Sequence, residues 1–144
     1  MSTLIKKIHQ DAVIPKYETE GSVGFDLTVI DEYIIPPGTY TYLRTGLVIK
    51  PPLGYSINIY PRSSTFKKYK VIMPNSVGIV DTDYCGDRDE IMIPVYNINN
   101  FYAKIPKGSR VAQAVLVPVC KFDIKETEEQ LALFNRDGFG STGE

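Results

Sequence analysis

Apolar residues along this chain come in short runs rather than at helical spacing. Runs rich in Val, Ile, Tyr and Thr occupy Gly24 to Ile30, Tyr40 to Ile49, Tyr55 to Tyr60, Ile91 to Ile98 and Val111 to Val119, separated by Pro, Gly and Asn breaks. Branched and aromatic side chains pack well on a pleated surface and the breakers end it, so each run predicts a strand. In the third run Tyr55, Ile57 and Ile59 alternate with Ser56, Asn58 and Tyr60, the period of two expected where one face is buried. The rhythm is that of an all-β chain, a sandwich or jelly roll. Helical turns are expected in only two short stretches, Ser63 to Tyr69 and Thr127 to Leu133, the first opening on Ser63 and Ser64, which suit an N-cap. The last ten residues, Asn135 to Glu144, carry three glycines and almost nothing apolar; such a tail is either disordered or folds over a ligand.

Composition narrows the chemistry. With 144 residues, 43% of them hydrophobic, the chain suits one domain burying about two-thirds of its unfolded surface. A net charge of -1 gives no general attraction to a nucleic-acid backbone, so no nucleic-acid partner is expected and any nucleotide site must be local. Cys85 and Cys120 are too few for a disulfide framework and read as free thiols of a reducing cytosol. No apolar run approaches the roughly 20 residues a membrane helix needs, and Met1 to Gln10 is too polar for an export signal. A soluble, cytoplasmic protein without a membrane partner is the expectation. His9 is the only histidine, which argues against a Ser-His-Asp triad or a His and Cys zinc site. Carboxylates, arginines, hydroxyls and an oxygen-held metal are left.

Five segments hold such residues, and all but the first have a plain reading beside a functional one. In "GSVGFDL" (Gly21 to Leu27), Asp26 lies inside an apolar run that begins a strand and reads by itself as an outward carboxylate after a turn. "PRSS" (Pro61 to Ser64) is a capped turn with a surface arginine, or an anion site in which Arg62 forks onto a carboxylate or phosphate beside free helix-start N–H groups. "NSVGIVDTDYCGD" (Asn75 to Asp87) reads as a β-hairpin with an acidic tip; there Asp81 suits a general base on water and Tyr84 a ring lying against a sugar. In "KGSRVAQAVLVP" (Lys107 to Pro118), Gln113 is the polar exception in a strand, facing either water or a specific partner. "RDGFGSTGE" (Arg136 to Glu144) is a flexible terminus or a phosphate-gripping tail with Phe139 to cap a base.

Taken in order, the five segments resemble the five motifs of the homotrimeric dUTPase family, from Gly21 to Gly143. The resemblance implies a distorted jelly roll with at most one or two short helices, a β domain over residues 1–134, and an arm over residues 135–144 that reaches a neighbouring subunit. It implies hydrolysis of dUTP to dUMP and pyrophosphate, which limits uracil in DNA and supplies dUMP for thymidylate synthesis. Mg²⁺ is the implied cofactor, held by Asp26 through water. Asp81 would deprotonate the attacking water. Arg62 and Ser63, with Ser64, would hold the phosphate chain, and Gln113 would contact it. Asn75 would stand beside uracil, whose edge is read by the backbone of Val77 to Tyr84, Gly78 and Val80 included, while Tyr84 lies under the deoxyribose and crowds a ribose 2′-hydroxyl. Phe139 would cover uracil, with Arg136, Gly140, Ser141 and Thr142 on the phosphates. In that family three subunits share each site, so a monomer would be inactive.

Three features depart from the family pattern. Phe139 follows Arg136 by three residues where the family has five; Cys85 replaces the usual Arg or Gln; and Gly86 to Asn97 is about three residues longer, with "DRDE" inserted, which predicts a longer or bulged hairpin. A dCTP deaminase of the same superfamily would need a Glu where Pro94 stands, three residues before Asn97. A regulatory or binding protein on the same fold is the alternative from another class, distinguished by binding dUTP without turning it over.

Overall fold

The computed structural model of the chain describes residues 1–138. It is a distorted all-β jelly roll, with one short helix among those residues. The strands are β1 (Leu4–Lys7), β2 (Gly24–Thr28), β3 (Tyr33–Ile35), β4 (Tyr40–Arg44), β5 (Leu47–Lys50), β6 (Tyr55–Pro61), β7 (Gly78–Val80), β8 (Met92–Tyr96), β9 (Ala103–Ile105) and β10 (Arg110–Pro118), with α1 (Thr65–Tyr69) after β6. They form one four-stranded sheet in the order β2-β10-β6-β7 and three two-stranded sheets, β1-β5, β3-β9 and β4-β8, all antiparallel. Between them lies a core of branched residues, with Leu27, Leu43, Leu47, Ile49, Ile57, Ile93 and Ile105 fully buried. Each such side chain contributes about 1.5–3 kcal/mol relative to exposure.

The run expected as one strand from Tyr40 to Ile49 is two. Gly46 sits at φ +66, and a Cβ there would stand 2.8 Å from the Cβ of His9 and 3.0 Å from that of Ala12, so the chain turns a corner only glycine fits. Buried Thr45 holds that corner, its Oγ1 donating to the Ile91 carbonyl at 2.6 Å and accepting from the Leu47 N–H at 3.2 Å.

Two local expectations are corrected. Thr127 to Leu133 forms no helix; residues 121–138 are exposed throughout, without helix or strand, so no buried face stabilises a turn. Nor is Asn75 to Asp87 a self-contained hairpin. β7 pairs with β6, Ile57 facing Val80 and Ile59 facing Gly78, while the next strand, β8, pairs with β4. The intervening N–H groups close turns instead of a ladder: Tyr84 to the Asp81 carbonyl, Cys85 to Asp83, Asp89 to Gly86.

At α1, Ser64 is the N-cap residue but its side chain makes no capping bond. The anchor is Thr65, whose buried Oγ1 accepts the Arg62 N–H at 2.7 Å and donates to the Val111 carbonyl at 2.6 Å. Arg62, Ser63 and Ser64 are thereby fixed against β10.

Candidate active site

Alternation along β2 buries Phe25 and Leu27 and turns Asp26 to the other face, in register with Gln113 of β10. Gln113 in turn faces Tyr60 of β6, one residue before Pro61, whose carbonyl accepts the Gln113 Nε2–H at 3.2 Å. Arg62 closes the cluster: its Nε lies 2.8 Å from Asp26 Oδ1, and its Nη1 donates to the Arg110 carbonyl at 3.1 Å. Arg110 Nη1 reaches Asp26 Oδ2 at 3.2 Å and Glu18 Oε1 at 3.1 Å. Both oxygens of Asp26 therefore face guanidinium groups, which holds the two arginines in a fixed orientation. Gly24 lets Gln113 in, since a Cβ there would meet Gln113 Oε1 at 3.0 Å and the Ala114 carbonyl at 3.2 Å. Sequence reasoning missed Arg110 as a site residue. It stands three positions before Gln113, an odd spacing that a regular strand sends to opposite faces; a register shift between Arg110 and Ala112 brings both to Asp26.

A second group lines a pocket of about 650 Å³ between the β7 loop and the β4-β8 sheet, where Asn75, Gly78, Val80, Asp81 and Tyr84 face Tyr40, Tyr42 and Tyr96. Gly78 packs closely at its place, where a Cβ would approach that of Ile59 to 3.2 Å. Asp81 is exposed. Tyr84 is 40% exposed, and its hydroxyl donates to the Glu90 carbonyl at 3.1 Å. Flat, largely apolar walls with a few polar groups suit a planar ring joined to something charged.

The inserted residues are ordered by charge. Asp87 pairs with Lys6 of β1 at 2.6 Å, a bond that holds its carboxyl below the usual carboxylate range. Asp89 Oδ2 accepts the Gly86 N–H at 2.7 Å, and Glu90 is buried against Arg44.

Asp26, Arg62, Ser63, Ser64 and Gln113 do not line the larger pocket; Arg62 and Arg110 border a separate recess of about 290 Å³. Arg136 is exposed, and Phe139, Gly140, Ser141 and Thr142 lie outside the described residues. Among the described residues no group of three or more His, Cys, Asp or Glu side chains is placed to hold a metal ion. One carboxylate does fit a Mg²⁺ ion that arrives on a triphosphate, because Mg²⁺ keeps much of its water and needs few protein ligands.

A family model described as dUTPase matches residues 10–143. Deoxyuridine 5'-triphosphate nucleotidohydrolase of Nautilia profundicola is 41% identical over 145 residues, covering 99% of both chains. The protein of that name from Helicobacter pylori strain J99 is 39% identical over 99% of this chain and 97% of its own. Among solved structures, the Staphylococcus bacteriophage 80alpha dUTPase with dUPNHPP has a TM-score of 0.87 at 21% identity over 99% of both chains. The Streptococcus mutans dUTPase has a TM-score of 0.75 at 27% identity, covering 83% of this chain and 98% of its own. With the family model matched over nearly the whole sequence and curated members aligned end to end, the chain belongs to the dUTPase family.

Proposed function

We propose that the chain hydrolyses dUTP to dUMP and pyrophosphate, at a site shared between three copies of itself, with Mg²⁺ bound to the triphosphate. The observation that carries the reaction is the pocket with Tyr84 on its wall and the exposed carboxylate of Asp81 beside it. Uracil enters between Asn75 and the backbone of Gly78 and Val80, and the deoxyribose lies on Tyr84. Asp81 takes the proton of a water attacking the α-phosphorus in line, and pyrophosphate leaves. Arg62, Ser63, Ser64 and Gln113 hold the phosphates, because guanidinium, hydroxyl and amide donors neutralise and position them. Mg²⁺, when bound, supplies charge neutralisation on the phosphate oxygens, and Asp26 meets its water shell.

Sharing is supported by the separation of the two residue groups within one chain and by the arm. Phe122, Ile124, Leu131, Leu133 and Phe134 are all at least 83% exposed, more apolar surface than one segment of a soluble monomer normally leaves uncovered. A neighbouring copy covers it, and the tail that follows carries Arg136, Phe139, Gly140, Ser141 and Thr142 to a neighbour's nucleotide. The cytosol is the proposed compartment. Cys85 and Cys120 are both free thiols, the state that compartment maintains, and none of the described helices is long and apolar enough to cross a membrane.

Pyrophosphate release from dUTP, measured with Mg²⁺ and after chelation, tests the reaction; turnover is expected only with the metal. Binding without turnover would favour a regulatory protein on this fold. Sedimentation equilibrium should give three times the single-chain mass of 16.2 kDa, and a single-chain mass would refute the shared site.

A further inference from the structure

Among the described residues Glu90 is the one buried charged side chain, at 9% exposed. A buried carboxylate is costly unless its oxygens are partnered, and both are. Oε1 accepts the Gly46 N–H at 2.8 Å and Oε2 the Arg44 Nε–H at 3.2 Å. Both donors belong to the corner between β4 and β5. From the other side, the carbonyl of Glu90 accepts the Tyr84 hydroxyl at 3.1 Å, and Glu90 and Tyr84 line the same pocket.

Holding the fold together does not by itself call for this charge. The corner is already tied to the start of β8 by neutral bonds, Thr45 Oγ1 to the Ile91 carbonyl at 2.6 Å and the Ile91 N–H to the Leu47 carbonyl at 2.8 Å. The Ile91 N–H shares a peptide plane with the Glu90 carbonyl and so holds that carbonyl from one end; the carboxylate adds the second anchor, at the Glu90 side chain. Between Tyr84 and Glu90 the chain detours through Cys85 to Asp89, whose own bonds are turns and the exposed Asp87–Lys6 pair. The latch joins the two ends of that detour.

We infer that Glu90 is a positioning residue that acts through Tyr84: the Arg44–Glu90 pair, together with the Ile91 N–H, sets the carbonyl, the carbonyl sets the ring, and the ring sets the space left for the sugar. The inference rests on the proposed dUTP site, in which Tyr84 excludes a 2′-hydroxyl by contact. Contact exclusion depends on the ring's place to a fraction of an ångström, so a pair behind the wall governs the choice between dUTP and UTP.

The test is kcat/KM for dUTP and for UTP with the full-length chain, in the wild type, Glu90→Gln, Tyr84→Phe and the double variant. Glu90→Gln places an amide N–H₂ against Arg44; Tyr84→Phe removes only the latch. Each single change should lower the preference for dUTP over UTP by about 3- to 10-fold, the range of one hydrogen bond. The double variant should lose no more than the worse single one, because both break the same link. Arg44→Lys, at a half-exposed position, replaces Glu90→Gln if that variant does not fold. A lowered Tm with unchanged preference, or losses that multiply in the double variant, would overturn the inference and leave Glu90 a structural residue. A wild type that fails to hydrolyse dUTP, or uses UTP equally well, refutes the proposed function and the inference with it. A wild type that discriminates, with variants that discriminate equally, refutes the inference alone.

Discussion

Asp81 and Asp26 are the two carboxylates proposed for the reaction, and their surroundings differ. Asp81 is exposed and lines the pocket, so it is open to accept a proton from water. Asp26 faces a guanidinium with each oxygen. Asp81→Asn should therefore keep nucleotide binding, checked by calorimetry with dUTP, and lower kcat by roughly 10²-fold or more, the scale of a lost general base. Retention of activity within a few-fold would remove Asp81 from that role. Single residues of this kind were legible in the sequence where a polar side chain interrupts an apolar run, as Asp26 and Gln113 do. Arg110 was not, because a bulge changes which face it occupies, and neither was Glu90, because nothing local tells a buried insertion residue from a solvated one.

Elements were legible in proportion to their length and alternation. β6 and β10, with seven and nine residues, announce themselves, whereas β3, β7 and β9 have three residues each, too few to establish a period. β7 was assigned the wrong partner because its match to Ile57 and Ile59 of β6 is a long-range fact. The contact between β2 and β10 makes a sharp prediction. Gly24→Ala puts a methyl against Gln113 Oε1 and a carbonyl, an overpacking that should cost about 1–3 kcal/mol in denaturant unfolding and displace Gln113. Another concerns β3, whose Tyr33 hydroxyl accepts the Arg44 N–H at 2.8 Å. Burial raises the Tyr33 phenol above its ordinary value of 10 and outweighs the Arg44 N–H, which lowers it. The folded chain thus holds this proton more tightly than the unfolded one, so the contribution is whole below pH 10 and is lost as pH rises from there through the raised value. Wild-type Tm should fall faster above pH 10 than that of Tyr33→Phe; parallel curves would show that Tyr33 plays no part in the alkaline loss.

Residues 121–138 are exposed throughout, and the resemblance to a trimeric family, not any periodicity, pointed to the use proposed for the arm. Deleting Asn135 to Glu144 should leave the chain folded and trimeric by sedimentation while most dUTP turnover is lost. Affinity for dUMP should fall less, because dUMP lacks the phosphates that the tail is proposed to grip. Turnover equal to the full chain would mean that the two-residue shortening before Phe139 has disabled the tail. The position of β10 bears on how the molecule is made. Among the described residues it is the last strand, yet it lies between β2 and β6 and supplies both with their ladder partner. Until the ribosome has delivered Pro118, β2 has no partner at all in that sheet, and β6 offers a bare edge carrying Ile57 and Ile59, the kind of surface that recruits a holdase or another nascent chain. Closure of this sheet thus waits for β10, and nascent chains arrested short of Arg110 should stay open to protease where chains that include β10 do not.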